Sequence, residues 1–317
     1  LEKIKEGSKN IREKRHIPLK WRDTLQLSIL TIPVIIWFII FSYIPMFGCI
    51  IAFKDFDYRA GIWGSKWCGF QNFKYLFSSN DAIRILRNTI FYNVTFILLG
   101  IIIGVAMALL LEQIKNRVMI KTFQTMIFLP HFVSWVVVAF VAQGLFKYES
   151  GIFNSILMKF GMAPKQWYTD VKPWPAILII ANIWKTIGFN TLIYYGGLLG
   201  IDTTLYEAAA IDGATTMQRI FKITIPMLLP TITILFIMGV GNVFRADFGL
   251  FYYIPNNYGS LYGVTDVIDT YIFRALKVSG ELSGSSAASF FQSVCGLILV
   301  LAANGTVRKI NPENAMF

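Results

Sequence analysis

Charge is scarce in this chain of 317 residues: Asp, Glu, Lys and Arg together supply 15%, where a soluble domain carries roughly 25%. That scarcity excludes an ordinary globular enzyme and a disordered segment, and it makes a nucleic-acid binder a poor explanation of the net charge of +11. Three cysteines, Cys49, Cys68 and Cys295, are too few and too scattered for a disulfide scaffold or a zinc site. Two histidines, His16 and His131, do not make a His-based metal centre. No Gly-x-x-x-x-Gly-Lys-Ser/Thr phosphate loop occurs, so the chain is not expected to bind ATP. No internal repeat is visible, although many secondary carriers show one. What is abundant is apolar. Hydrophobic residues make up 55% and the mean hydropathy is +0.57. The class that remains is an integral membrane protein.

A membrane-crossing helix needs roughly 20 mostly apolar residues. Six stretches are long enough and almost free of charge: 25–53, 88–111, 122–146, 173–201, 223–244 and 282–307. Only Lys185 interrupts the fourth. The absence of strand-length alternation argues against a membrane β-barrel. The first stretch is long, follows a charged tail and lacks a small-residue cleavage site, so it reads as a span rather than a signal peptide. Pro33, Pro130 and Pro230 are expected to kink their helices, and Pro45 to end the first. Lys3, Lys5, Lys9, Arg12, Lys14, Arg15, Lys20 and Arg22 crowd the tail before the first span. The positive-inside rule places that tail, and with six spans both termini, in the cytoplasm. The organisation is then a basic cytoplasmic tail (1–24), a first span with an outer loop (25–87), a core (88–306) and a cytoplasmic C-terminal tail (307–317).

The most informative segment is the loop 203–226 between the fourth and fifth spans. Thr203 or Thr204 suits a helix N-cap. Glu207 falls in the first turn, where the helix dipole favours an anion. Ala208, Ala209 and Ala210 form helix readily and add little bulk. Gly213 suits a left-handed helix end. Thr215 or Thr216 can cap a second short helix holding Ile220 and Phe221, and Pro226 then opens span five. This is a compact helix–turn–helix whose small-residue surface lets another protein approach closely.

The segment resembles the EAA loop of binding-protein-dependent ABC importer permeases. The match lies at Glu207, Ala208, Ala209, Asp212, Gly213, Ala214, Phe221, Ile223, Pro226 and Pro230. The likeness extends along residues 25 to 317. Gly69-Phe-Gln-Asn-Phe73, Arg87-Asn-Thr89, Phe128-Leu-Pro130 and Gly151-Ile-Phe-Asn154 resemble sugar permeases. The segments 184–190, 262–271, 286–288 with 292–293, and 307–315 resemble the branch that imports polysaccharides and oligosaccharides, including alginate-type and xylan-derived ones. The resemblance implies an all-α integral membrane protein of six transmembrane helices, with the type I ABC importer permease fold and a cytoplasmic coupling helix. It implies a non-enzymatic, multi-pass subunit in a bacterial plasma (inner) membrane, without a cofactor of its own. Its partners would be a second related permease chain, two ATPase subunits that bind ATP and Mg, and an extracytoplasmic solute-binding protein that delivers a carbohydrate. Glu207, Ala208, Ala209, Asp212, Gly213 and Ala214 would couple the chain to an ATPase.

Polar residues inside spans are costly and usually face a cavity or a partner. Span four is richest in them, and Asn182, Trp184, Lys185, Asn190 and Tyr194, with Asn242 of span five, are the candidate substrate pathway. Amides and hydroxyls suit sugar hydroxyls, and aromatic faces suit sugar C–H surfaces. Two readings stand for Lys185: attraction of an anionic sugar, or a bond to a carbonyl of a neighbouring helix. For Asn182 and Asn190 the alternative is interhelical hydrogen bonding. His131, beside Pro130, reads as structural. Trp63, Trp67, Phe70, Phe73, Tyr75 and Phe77 crowd the first outer loop, as interfacial anchors or as a docking surface for the binding protein. Asp247, Asp266 and Asp269 are too scattered to argue a metal site. The rival classes are a stand-alone carrier or channel, an intramembrane enzyme, and an ABC permease for a non-sugar solute.

Overall fold

A computed structural model describes residues 21–78 and 80–316. The expected basic tail therefore lies almost wholly outside the described residues, as does the side chain of Tyr75. The chain forms two compact units, Leu1–Ile50 and Ile51–Phe317.

The first unit is helical through its described residues. Pro45 does not end the first helix as the sequence suggests. A wide π-turn over Ile39–Tyr43, in which the Ile44 N–H donates to the Ile39 carbonyl, absorbs the imino acid, and helical turns run on to Phe53. A proline donates no N–H and crowds the carbonyl four residues back, and a widened turn accommodates both defects.

The second unit contains four long apolar helices, Asp81–Glu112, Trp174–Leu199, Thr216–Gly241 and Leu282–Ile310, and one broken pair, Arg117–Phe132 with Trp135–Phe146. Counting the broken pair as one, and with Ser28–Phe53, six spans are present. The second span begins earlier than its charge-free core implies. Arg84 bridges Asp81 at 2.8 Å and Asp266 at 3.4 Å, so the charges at this end are neutralised within the fold. The fifth also begins earlier, at Thr216. A second π-turn, Ile220–Thr224, carries the helix past Pro226 as the first does past Pro45. The third is not one kinked helix. Its two limbs meet at 93°, and the break falls at Val133–Ser134, just beyond Pro130.

The core has two centres. Trp174 and Leu178 of the fourth span pack with Tyr92, Phe146, Phe251 and Leu261 towards one end. Tyr194 and Leu198 pack with Ala108 and Leu228 towards the other. The fourth span runs from Trp174 to Leu199, so segment 147–173 and the loop after Leu199 lie at opposite ends of the bundle. Small residues permit close helix approach: Gly188 of the fourth span sits against the Ile127 backbone, where no Cβ would fit.

Candidate functional site

An open-sided cavity of about 280 Å³ between the second, fourth and fifth spans is lined by Asn93, Gly100, Asn182, Thr186, Asn190, Tyr194, Gly239 and the exposed Asn242, together with four apolar side chains. Four of the six expected pathway residues, Asn182, Asn190, Tyr194 and Asn242, thus come from two spans to one place. The second span closes the site. Gly100 makes the room, since a Cβ there would stand 3.0 Å from the Asn190 amide nitrogen. Asn93 was not singled out by the sequence reasoning, yet its signal was present: an amide well inside the apolar run 88–111, which Asn88 only opens. It is held by donating to the Thr89 and Val243 carbonyls at 3.0 and 2.9 Å. The side chains of Asn182 and Asn190 make no hydrogen bond to protein among the described residues and face the open cavity. Amides that face an open cavity without a protein partner are free to bond water or a ligand there.

Trp184 and Lys185 stand elsewhere. Trp184 is half exposed and lines a separate apolar cavity with Val141, Phe153 and Ile180. The Lys185 ammonium donates to the His131 carbonyl at 3.0 Å and to the Val133 carbonyl, and lies 5.2 Å from the Trp135 ring. It therefore fastens the carbonyl end of the broken third span. This geometry favours the carbonyl-bonding reading of Lys185 over sugar attraction. His131 is sandwiched between the Phe128 and Phe189 rings at 5.5 and 5.1 Å.

At the end beyond Leu199 the loop folds as two short helices about a glycine. Asp202, not Thr203 or Thr204, is the N-cap, its carboxylate accepting from the Thr204 N–H at 2.9 Å. That hydrogen bond holds the Asp202 carboxyl below the usual carboxylate range. The helix Thr203–Ile211 ends at Gly213, whose φ is +76°. The Gly213 N–H donates to the Ala210 carbonyl and the Ala214 N–H to the Ala209 carbonyl, a Schellman closure that only a left-handed residue completes without strain. Thr215 opens the second turn in a capping box with Gln218. Tyr206 and Thr224 meet through their hydroxyls at 3.0 Å and fix the first helix against the fifth span. Glu207, Ala208, Asp212 and Gly213 are exposed, Ala209 and Ala214 half-buried, and Ile211, Met217 and Phe221 present apolar side chains outward.

At the opposite end the segments 147–172 and 245–281 are firmly built. Asn154 is fully buried, donates to the Tyr148 and Lys165 carbonyls, and accepts from the Lys165 N–H and the Trp167 indole. Asp266 is buried between Arg274 at 2.6 Å and Arg84, Asp247 accepts from the Trp135 indole, and Asp269 from the Ala246 N–H and Gln292. Each acid is committed separately, and no grouping of three metal-ligating residues exists among the described residues. In the first outer loop Phe73 joins a ring cluster with Phe53, Phe70 and Phe290, and Phe77 packs on Phe291, whereas Trp63 and Trp67 remain exposed.

Residues 97–312 match the family described as the binding-protein-dependent transport system inner membrane component. The chain is 34% identical over 299 residues to Protein LplB of Bacillus subtilis (strain 168), covering 93% of each. It is 31% identical over 301 residues to the polygalacturonan/rhamnogalacturonan transport system permease protein YteP of the same organism, covering 95% of this chain and 93% of that one. A crystal structure of a bacterial ABC transporter involved in importing the acidic polysaccharide alginate superposes with a TM-score of 0.82 at 33% identity, over 92% of this chain and 97% of the other. The chain belongs to the family of binding-protein-dependent transport system inner membrane components: it is a multi-pass, non-enzymatic permease subunit with the ABC importer permease fold.

Proposed function

We propose that this permease forms part of the translocation path of an ATP-driven importer for an oligosaccharide or polysaccharide. A second related permease completes the path, and an extracytoplasmic binding protein delivers the sugar. Two ATPase subunits drive the cycle, one of them seated on the loop from Glu207 to Ala214, with both termini on that cytoplasmic side. ATP-driven closure of the ATPases would move this loop and the fifth span together, because Tyr206 and Thr224 tie them and the π-turn makes loop helix and span continuous.

The observation that carries the reading is the open polar cavity of Asn93, Asn182, Thr186, Asn190 and Asn242 between otherwise apolar spans. Its amides and hydroxyls match the hydroxyls of a sugar. The kinship with a polygalacturonan/rhamnogalacturonan permease and an alginate importer supports the same class of cargo. The positive φ of Gly213 supports the coupling role of the loop, since a close-fitting turn is needed there.

The test is the assembled transporter in lipid with its binding protein. One class of acidic oligosaccharide is expected to stimulate ATP hydrolysis, and Gly213→Val is expected to remove that stimulation while leaving membrane insertion intact. A β-branched residue in left-handed backbone costs about 1–3 kcal/mol of local strain and opens the turn. Full stimulation in the Gly213→Val protein would refute the coupling role. Stable assembly without response to any sugar would refute the cargo.

A further inference from the structure

A second cavity, of about 510 Å³, lies at the end of the bundle opposite the coupling loop, where segments 147–172 and 245–281 meet. Ligand pockets span roughly 300–1,000 Å³, so it has the size of a binding site. Trp167, Tyr168 and Tyr258 line it beside Lys147, Gln166 and Asn256. Aromatic faces alternating with amides are the surface a sugar ring requires, because the ring has apolar C–H faces and a polar rim of hydroxyls.

The cavity is held rigidly. The buried Asn154 network fixes the Trp167 indole, and the Ser260 hydroxyl donates to the Tyr168 carbonyl at 2.9 Å, tying the two segments together. The Tyr168 ring packs against both Trp174 and Tyr258 at 5.2 Å. Two features of this frame, the Tyr168 hydroxyl and the backbone at Asn256, remain unexplained by packing alone. The Tyr168 hydroxyl is buried without a protein partner. Lys147 and Glu149 are exposed at the cavity mouth, and their side chains are not engaged in a pair among the described residues, which leaves them available to a ligand. Asn256 and Asn257 are the non-glycine residues at positive φ among the described residues, at 54° and 49°, and Asn256 lines the cavity. Unsatisfied buried polar groups and left-handed backbone concentrate at ligand sites.

We propose that this outer cavity is a saccharide subsite, which takes up a sugar unit of the incoming oligosaccharide ahead of the polar cavity between the spans. The inference rests on the carbohydrate-importer reading and adds a second, separate place of contact. Lys147, Glu149, Gln166 and Asn256 bond the sugar hydroxyls, and the Trp167–Tyr168–Tyr258 group packs on the ring faces.

The test uses the complete transporter in nanodiscs without the binding protein. Direct binding of a galacturonate trisaccharide and of maltotriose is followed by saturation-transfer NMR. Gln166→Ala and Lys147→Gln are compared separately with the unaltered protein, each melting at the unaltered temperature to show an intact loop. Each variant is expected to weaken binding of one trisaccharide by about tenfold, the equivalent of about 1.4 kcal/mol. Equal affinity in the variants and the unaltered transporter would overturn the subsite, as would failure of the unaltered transporter to bind either sugar. Uptake of the same sugars with the binding protein present is measured in parallel. Uptake with unaltered affinity in the variants removes the subsite and leaves the importer reading standing, whereas binding at the subsite without uptake removes the importer reading alone.

Discussion

Lys185→Met separates the two roles open to the cation in the fourth span. Methionine keeps an unbranched stem of similar length and removes the ammonium. Two charge-assisted hydrogen bonds, to the His131 and Val133 carbonyls, are lost at the break in the third span. Each is worth about 1.5–3 kcal/mol net, and the contact with the Trp135 ring adds about 0.5–1 kcal/mol. Against this, the substitution relieves the desolvation of an ammonium, which costs several kcal/mol in an apolar setting. The freed carbonyls stay partly buried where the first limb of the third span ends and no further helical turn supplies a donor, so the balance is a loss of about 2–3 kcal/mol. At about 2–4 °C per kcal/mol for a protein of this order of size, the melting temperature in detergent is expected to fall by about 4–12 °C. The sugar concentration giving half-maximal ATPase stimulation in the surviving folded protein is expected to change by less than about twofold. An unaltered melting temperature with a strongly weakened sugar response would refute the reasoning and put the ammonium on the substrate path.

Other perturbations probe the packing and the outer frame. Gly188→Ala places a methyl group on the Ile127 carbonyl, and backbone cannot yield as a side chain would. The monodisperse fraction on size exclusion is expected to collapse, while Gly196→Ala, which meets open space, is expected to leave it unchanged. Asn154→Ala removes four hydrogen bonds at a fully buried position, at a cost of about 3 kcal/mol or more. Limited proteolysis of the solubilised chain is expected to cut within 147–172 several times faster than in the unaltered protein, and equal cutting rates would refute the staple.

The loop between the fourth and fifth spans was legible because its determinants are local. Gly213 must be left-handed to close the helix, and Thr215 needs only Gln218 three residues on to form its box. The N-cap was misplaced by one or two residues, since Asp202 and the two threonines are all competent caps and only the backbone path chooses among them. The spans were legible from apolar length, but their ends were not. Arg84 lies inside a helix where Asp81, one turn away, and Asp266, far along the chain, both bridge it, and the second partner is a tertiary contact.

Apolar length thus determined from sequence alone that the chain is a helical membrane protein, a short run of capping signals that it carries a helix–turn–helix loop, and the resemblance of that loop to the EAA loop pointed to an importer permease. Local hydrogen bonding and the cost of exposing backbone to lipid act over a few residues, so one chain segment suffices to express them. Tertiary structure alone decided which polar residues share a cavity. Asn93, Asn182 and Asn242 come from three separate helices, and the rotation of each helix is fixed by its neighbours rather than by its own sequence. The same holds for Lys185. One turn of helix separates it from Asn182, yet packing against the broken third span directs its charge to a pair of carbonyls.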